Sequence, residues 1–252
     1  MNPRQVLVPL AAVAVFLAFW EALVWVMCWP NFRMASPSDL PPAYQKYWNL
    51  FIVMGWQTLW RTVVGLVLAV VFGVGLGMVM GFSRTMRDAL YPLLVGFNAV
   101  PKATVVPIVA LMFVGWHDFN TILIAFIISF FPIAVSVSIG LSTLEPEYRD
   151  ILRSLGASKA QIFWKIALPK TLPEFFGALK VSVTLAFIGT NLMEIVSPHG
   201  RGLGALFDSG KTNSDYPLMF AVLIALAFLG IVLYYIVVAL EKTFAGWADR
   251  SA

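Results

Sequence analysis

Charged residues are scarce in this chain. Asp, Glu, Lys and Arg make up 12% of its 252 residues, whereas 60% of the residues are hydrophobic. A soluble domain carries about 25% charged residues, so this composition excludes a water-soluble fold. Disorder, a collagen-like chain and a nucleic-acid-binding arm each need a polar or repetitive composition and are excluded as well. A polytopic helical membrane protein remains.

Cysteine and histidine are nearly absent. Cys28 is the only cysteine, which excludes an intrachain disulfide, a cysteine-based zinc site and an iron–sulfur cluster. Cys28 follows Met27 rather than a small residue, which argues against a lipoprotein cleavage site. Two histidines, His117 and His199, are too few for a histidine cage. We therefore expect this chain to bind no metal and no cofactor.

Long apolar runs dominate what is present. A membrane-spanning helix needs about 20 apolar residues. Six segments meet this length: Val6–Trp29, Gly55–Phe82, Ala89–Val114, Thr121–Leu141, Leu172–Val196 and Tyr216–Leu240. They predict an all-α polytopic membrane protein with an N-terminal helix and external loop (1–54), a core (55–240) containing a long loop (142–171), and a tail (241–252).

The placement of the basic residues predicts the orientation. Six spans put both termini on one side of the membrane. If that side is the cytoplasm, ten Lys and Arg residues lie in inner segments and four in outer ones. This asymmetry follows the positive-inside rule, so we expect both termini and loop 142–171 in the cytoplasm.

Glycine and proline mark two of the spans. The second span carries Gly73, Gly77 and Gly81, which form a flat ridge where another helix can approach closely. We favour packing within the chain, and a dimer contact is the alternative. The third span contains three prolines, which tend to kink a helix: Pro92, Pro101 and Pro107.

Two short amphipathic helices are predicted in loop 142–171. The first, Glu147–Leu155, ends at Gly156 as its C-cap. In the second, Ser158 and Gln161 have the spacing of a capping box, and Pro169 is expected to end the helix. Their apolar stripes need a partner, which can be the lipid surface, the inner mouth of the protein or another protein.

The loop resembles the inner loop of permease subunits of bacterial ATP-binding-cassette importers. That pattern is E-A-A-x-x-x-G, nine residues, then I-x-L-P. Here Gly156 is followed after nine residues by Ile166, Ala167, Leu168 and Pro169. The first half departs from the pattern, because Asp150, Ile151 and Leu152 stand in place of E-A-A.

The resemblance extends over Gly55–Leu240 and is nearest to the nitrate/sulfonate/taurine branch. TLWRTVVGLVLAVVFGVGLGMVMGFS, with Arg61, and NAVPKATVVPIVALMFVG are similar to stretches of that branch. MEIVSPHGRGLG, with Glu194 and Gly202-Leu203-Gly204, is similar to the outer end of its fifth helix. The tail PLMFAVLIALAFLGIVLYY is closest to members that handle pyrimidine-like nutrients.

The resemblance implies a type I importer in the bacterial inner membrane. Two permease subunits form the path, and one loop per chain favours a homodimer. Two separate ATPase subunits bind ATP and Mg, and an external binding protein delivers the substrate. The permease itself is then not an enzyme. The residues implied in coupling to the ATPase are Asp150, Ile151, Leu152, Gly156, Ala157, Ser158, Ile162, Phe163, Ile166, Leu168 and Pro169.

Two other classes fit the sequence less well. An ion-coupled secondary carrier acting without an ATPase would favour an inverted repeat and more carboxylates in mid-bilayer. A membrane enzyme would need a catalytic motif. The fragment Ser209-Gly210-Lys211-Thr212 does not supply one, because a phosphate-binding loop requires glycine where Ala205 stands.

Polar residues inside spans are candidates for the substrate path, since they are costly in lipid unless they face a cavity or a partner. They are Asn98 and Lys102 on the third span and Thr184, Asn191 and Glu194 on the fifth. Asn98 and Lys102 share one face of the third span, and the three residues of the fifth span lie roughly on one face together with Lys180. Lys180 can snorkel to the inner surface, however, and Glu194 can lie at the outer interface. The cargo is expected to be a small nutrient, either sulfonate-, nitrate- or taurine-like or a pyrimidine-like heterocycle.

Overall fold

The computed structural model describes residues 3–27, 34–142, 151, 154–197 and 200–247, and every element in these ranges is helical. The all-α fold class is therefore confirmed. The helices are α1 (Pro3–Val26), α2 (Leu40–Phe82), α3 (Arg84–Ala99), α4 (Lys102–Met112), α5 (His117–Ser142), α6 (Lys159–Ile162), α7 (Leu168–Val196), α8 (Leu203–Thr212) and α9 (Tyr216–Phe244). A 3₁₀ turn, Pro37–Asp39, precedes α2, and a π-helical segment, Phe163–Ala167, precedes α7.

Within the described residues, four continuous helices are long and apolar enough to cross a membrane. They are formed by α2, α5, α7 and α9, and the pair α3 and α4 makes a fifth span if it is counted as one. The apolar part of α1 that the structure describes, Ala11–Val26, is shorter than a full span. The predicted total of six spans thus stays a prediction.

The third predicted span is not one helix. The axes of α3 and α4 differ by 86°, and the break lies at Val100 and Pro101. Proline disfavours a helical conformation in the residue before it, and Val100 is extended, with φ −65° and ψ 127°. Pro92 and Pro107 remain inside their helices. One of the three prolines therefore ends a helix where a continuous span was expected.

The second span begins well before the predicted Gly55. Helix α2 starts at Leu40, with non-helical angles only at Tyr47. Pro41 and Pro42 lie in its first turn, where the missing N–H groups would have no helical partner anyway. The predicted border between residues 54 and 55 falls inside this helix, and the division into domains stays a prediction.

Helix α5 packs between α2 and α7 and forms the centre of the bundle. The glycine ridge of α2 lies directly against it. A Cβ atom at Gly77 would lie 2.7 Å from the Ala134 carbonyl oxygen, and one at Gly81 would lie 2.7 Å from Leu141 Cβ. The predicted packing within the chain is confirmed, because only glycine permits this approach.

Pro169 does not end a helix. Helix α6, the π-helical segment and α7 follow one another without a non-helical residue from Lys159 to Val196. The Leu168 N–H donates to the Phe163 carbonyl, a π-type bond that widens the turn just before the proline. Pro169 then lies in the first turn of α7, where its missing N–H is tolerated.

Candidate functional site

The turn in loop 142–171 is stabilised by local hydrogen bonds. Gly156 has φ +85°, a left-handed conformation that favours glycine, and the Leu155 N–H donates to the Ile151 carbonyl at 3.1 Å. The Ser158 N–H donates to Gln161 Oε1 at 2.8 Å, and the Gln161 N–H donates to Ser158 Oγ at 3.2 Å. The predicted glycine cap and capping box are thus confirmed. Most of the predicted helix Glu147–Leu155, including Asp150 and Leu152, lies outside the described residues.

The apolar side chains of the loop divide into two groups. Ile162 is buried at 6% exposure, and the Phe163 ring lies 5.4 Å from the Phe82 ring at the end of α2. These two residues therefore pack on this chain. Ile151 (55%), Leu155 (78%) and Trp164 (66%) are exposed instead. Leu155 and Trp164 are absent from the predicted contact set, because sequence periodicity does not tell which apolar face meets the chain itself.

The remaining predicted loop residues surround the turn and the start of α7. Ala157 is half-buried and Ser158 exposed, next to Gly156. Ile166, Leu168 and Pro169 are half-buried. Leu168 also lines an apolar cavity of about 120 Å³ between α2, α5 and α7. Ile166, Leu168 and Pro169 therefore connect the exposed turn to the packed helices of the bundle.

A buried charged network lies at the opposite end of the bundle. Arg61 on α2 is 2% exposed and donates from Nε to Asp118 Oδ1 at 2.8 Å. Its Nη1 donates to Glu194 Oε1 at 3.2 Å and also to the Arg201 carbonyl. One guanidinium thus joins α2, α5, α7 and the segment after α7.

The carboxylate of Glu194 is the second centre of this network. Glu194 is 1% exposed, and it accepts from Thr58 Oγ1 at 2.8 Å and from the Gly204 N–H at 3.0 Å. The Leu203 N–H donates to Thr58 Oγ1 at 2.8 Å. The carboxylate therefore caps the first turn of α8. At Gly202, which has φ +119°, a Cβ atom would overlap this carboxylate.

This network was only partly foreseen. The sequence places Glu194 among path candidates, and Arg61 enters only as part of the family resemblance. The available indication was the i, i+3, i+4 spacing of Thr58, Arg61 and Thr62, which puts three polar residues on one helical face. All three are buried. Long-range pairing with Asp118 cannot be deduced from that spacing.

Asn98 and Lys102 meet at the break between α3 and α4. The Lys102 ammonium donates to the Asn98 backbone carbonyl at 2.5 Å and to its side-chain Oδ1 at 2.6 Å. Both residues line a cavity of about 200 Å³ whose other walls are apolar: Leu94, Phe97, Val100, Val105, Ile127, Phe130 and Phe131. The structure thus brings together the two path candidates of the third predicted span.

The path candidates on α7 are more dispersed. Thr184 is exposed and donates to the Lys180 carbonyl, while Lys180 Nζ pairs with Glu241 at 2.9 Å. Asn191 donates from Nδ2 to the Phe187 carbonyl, and its buried Oδ1 has no hydrogen-bond partner among the residues that the structure describes. Glu194 is enclosed in the charged network. A substrate path through these residues stays a prediction.

Comparison with known proteins identifies a family match. Residues 69–246 match the family described as "Binding-protein-dependent transport system inner membrane component". The matched range includes the described part of loop 142–171, the break between α3 and α4, and Glu194.

Similar proteins include transport permeases for different cargoes. The chain is 29% identical to the formylaminopyrimidine transport permease protein ThiX of Halalkalibacterium halodurans, covering 98% of both chains. It is 28% identical to the taurine transport system permease protein TauC of Escherichia coli, covering 97% of this chain and 90% of that protein. It is 30% identical to the riboflavin transport system permease protein RibX of Chloroflexus aurantiacus, covering 92% and 86%.

The fold resembles that of a solved transporter. A chain of the MetNI methionine ABC transporter, in an inward-facing conformation, matches with a TM-score of 0.66 at 18% identity. The match covers 79% of this chain and 98% of that chain. At this identity the likeness concerns the fold, which is that of a type I importer permease as the sequence predicts.

Proposed function

Because this chain belongs to the family of inner membrane components of binding-protein-dependent transport systems, we propose that it forms the substrate path of an ABC importer and is driven by a separate ATPase. As a permease subunit of this class it is a multi-pass inner-membrane protein. In our proposal an external binding protein delivers the substrate and the ATPase subunits bind ATP and Mg. The ion-coupled secondary carrier is not favoured.

One observation carries the coupling proposal. After the capped turn at Gly156, an uninterrupted helix runs to the charged network of Arg61 and Glu194, which we call the outer network. From Lys159 to Val196 the chain is helical throughout, a length of about 55 Å at 1.5 Å per residue. That exceeds the roughly 30 Å hydrocarbon core of a bilayer. A displacement of the turn by the ATPase would therefore be transmitted along α7 toward Glu194.

We place the ATPase contact on the exposed apolar residues Ile151, Leu155 and Trp164. Buried apolar anchors dominate protein interfaces, and these three side chains have no such burial in this chain. Ile162 and Phe163 hold the turn on its own subunit instead. The π-helical segment between them and α7 is an element of a kind often found at functional positions in helices.

In this proposal the outer network lies at the far end of the continuous helix that begins at Lys159. Arg61, Glu194 and Thr58 fix α7 to α2 and to the start of α8. Rocking of α7 relative to α2 would have to move or exchange these bonds. Such rigid-body rearrangement of packed helices is a common mode of switching.

The partners and cargo follow from the family and the sequence. We infer a second, identical permease subunit, because one coupling loop lies in each chain. Both termini and the loop are placed in the cytoplasm by the excess of basic residues. The cargo is a small nutrient of the nitrate-, sulfonate- or taurine-like class or a pyrimidine-like heterocycle.

Reconstitution tests this proposal. The permease is co-expressed with an ATPase subunit and an external binding protein encoded beside it, purified in detergent and placed in liposomes. We expect the ATPase to co-purify and uptake of a radiolabelled cargo to require ATP inside and the binding protein outside, or the reverse in inverted liposomes. Uptake driven by an ion gradient without ATP would contradict the proposal.

A further inference from the structure

We propose that Lys102 and Asn98 bind an anionic group of the transported substrate in the cavity at the break between α3 and α4. This inference rests on the proposed transport function, and it adds the chemical class of the cargo and the residues that recognise it. The comparisons name permeases for both charged and uncharged compounds, so they leave this class open.

The charge on Lys102 is the first observation. Two other cations in spanning helices face carboxylates: Arg61 faces Asp118 and Glu194, and Lys180 faces Glu241. Among the described residues, Lys102 Nζ contacts only the two neutral oxygens of Asn98. A lysine within a spanning segment costs about 2.5–3.5 kcal/mol on insertion scales. The Asn98 carbonyl in the last turn of α3 supplies only the partial negative charge of a helix end, and an anion would supply a full counter-charge.

The cavity is the second observation. Its volume of about 200 Å³ gives room for a small ligand group, and apart from Asn98 and Lys102 its lining consists of apolar side chains such as Leu94, Phe97, Ile127 and Phe130. Asn98 is exposed and Lys102 is half-buried, so the polar end of the cavity is accessible from outside the described part of the chain. Small-molecule sites usually have this composition, with a few polar groups in an otherwise apolar cavity.

The position of the break is the third observation. Lys102 is the first residue of α4, and its ammonium group reaches back to the Asn98 carbonyl in the last turn of α3. Because the helices bend by 86° at this break, the C-terminal end of α3 and the N-terminal end of α4 lie next to each other. Broken helices whose ends face a cavity can bind ions in membrane proteins, because their free backbone groups are available there.

Three substitutions test the assignment, with uptake of radiolabelled nitrate and taurine compared with riboflavin and formylaminopyrimidine, which carry no anionic group. We expect the wild type to import an anionic probe. Lys102→Met should reduce that uptake by about 10- to 100-fold, as expected for loss of a hydrogen bond to a charged group. Lys102→Arg keeps the charge and should retain most of it.

Asn98→Asp separates recognition from a structural role. It is nearly isosteric, and it places a carboxylate 2.6 Å from the Lys102 ammonium, where the Asn98 Oδ1 atom now lies. If the pair only stabilises the break, an ion pair there should leave uptake intact. If the pair binds an anion, the new carboxylate should occupy the cation and lower uptake as strongly as Lys102→Met.

The outcomes distinguish this inference from the proposed function. Co-purification with the ATPase should be the same for all variants; its absence in the wild type would contradict the proposed function instead. Import of only the uncharged probes, or full uptake by Lys102→Met, would overturn the anion site. Unchanged uptake together with loss of co-purified phosphatidylglycerol in Lys102→Met would assign the site to a lipid headgroup and equally overturn the substrate site.

Discussion

The two ends of the bundle are built in contrasting ways. At the inner end, the turn around Gly156 is fixed by bonds between residues three or four apart, and it leaves Leu155 and Trp164 exposed. At the outer end, Arg61 and Glu194 are buried. Apart from the Gly204 N–H, which is 10 positions from Glu194, their hydrogen-bond partners lie 57 to 140 positions away along the chain.

The contrast indicates different tasks. Local hydrogen bonds give the inner turn a defined shape, so its apolar side chains need not be buried against the other helices. These side chains therefore remain available to a partner. The Arg61–Glu194 pair is buried on both sides, so removing one member would leave the other as an uncompensated buried charge. We therefore expect outer substitutions to affect folding and inner substitutions to affect coupling.

Arg61→Met should give the largest effect on stability. It leaves the Glu194 carboxylate buried without its guanidinium, which costs about 3–5 kcal/mol for buried pairs. The thermal unfolding midpoint in detergent should fall well below that of Arg87→Met, a matched substitution near the inner end. Equal midpoints for the two variants would contradict the role of the network. Adding Glu194→Met to Arg61→Met should restore part of the loss, since both charges are then removed.

Gly77→Ala should give the second-largest loss of stability. Its new methyl group would lie 2.7 Å from the Ala134 carbonyl oxygen, and overpacking of this kind costs about 1–3 kcal/mol. Gly75→Ala is the matched control, because a Cβ atom there meets nothing within 4 Å. Chemical denaturation in detergent should separate the two variants. A control that is destabilised as much as Gly77→Ala would show that helix packing is not the cause.

Gly156→Val should uncouple ATP hydrolysis from transport. Its effect on the free energy of unfolding should be smaller than that of Arg61→Met. None of the described residues has an atom within 4 Å of its Cβ position, so the cost arises from the positive φ and is about 1–3 kcal/mol. Gly156→Asn tolerates this conformation better and should retain uptake. Gly115→Val is a second control, since Gly115 also has positive φ and open space. Comparing ATP hydrolysis with uptake checks the prediction, and equal uptake in all variants would contradict it.

Ser158→Ala should give the smallest effect. It removes the side-chain acceptor of the Gln161 N–H, and loss of an N-cap costs about 1 kcal/mol. Because the bond is local, we expect faster hydrogen exchange around residues 158–162 and an unchanged global unfolding midpoint. Slower exchange, or a change spread over α2 and α5, would show that the inner turn is not locally stabilised.

The sequence predicts the local features well. The glycine cap, the capping box and the glycine ridge depend on near neighbours or on residue size, and their patterns are visible in one chain. The sequence does not predict what each proline does to its helix. Pro101 breaks a helix while Pro92 and Pro107 do not, and Pro169 is accommodated by a π-type bond from Leu168 to Phe163. Proline spacing alone contains no information on these outcomes.

The candidate site shows the same division. The sequence predicts that the loop matters, yet the burial of Ile162 and the exposure of Trp164 depend on how α6 packs on Phe82 and its neighbours. Asn98 and Lys102 were placed on one face, and the structure joins them across a sharp break instead. Arg61 was missed because Asp118 lies on another helix.

Site-specific photo-crosslinking at Leu155 determines whether the inner turn contacts the ATPase. A photoreactive amino acid replaces Leu155 in the assembled importer, and the same amino acid replaces the exposed Lys211 beyond the opposite end of α7 as the control. We expect position 155 to crosslink to the ATPase subunit, more strongly in one nucleotide state than in the other, and position 211 not to do so. Failure of position 155 to reach the ATPase, or its crosslinking to the external binding protein, would contradict a coupling role of the inner turn.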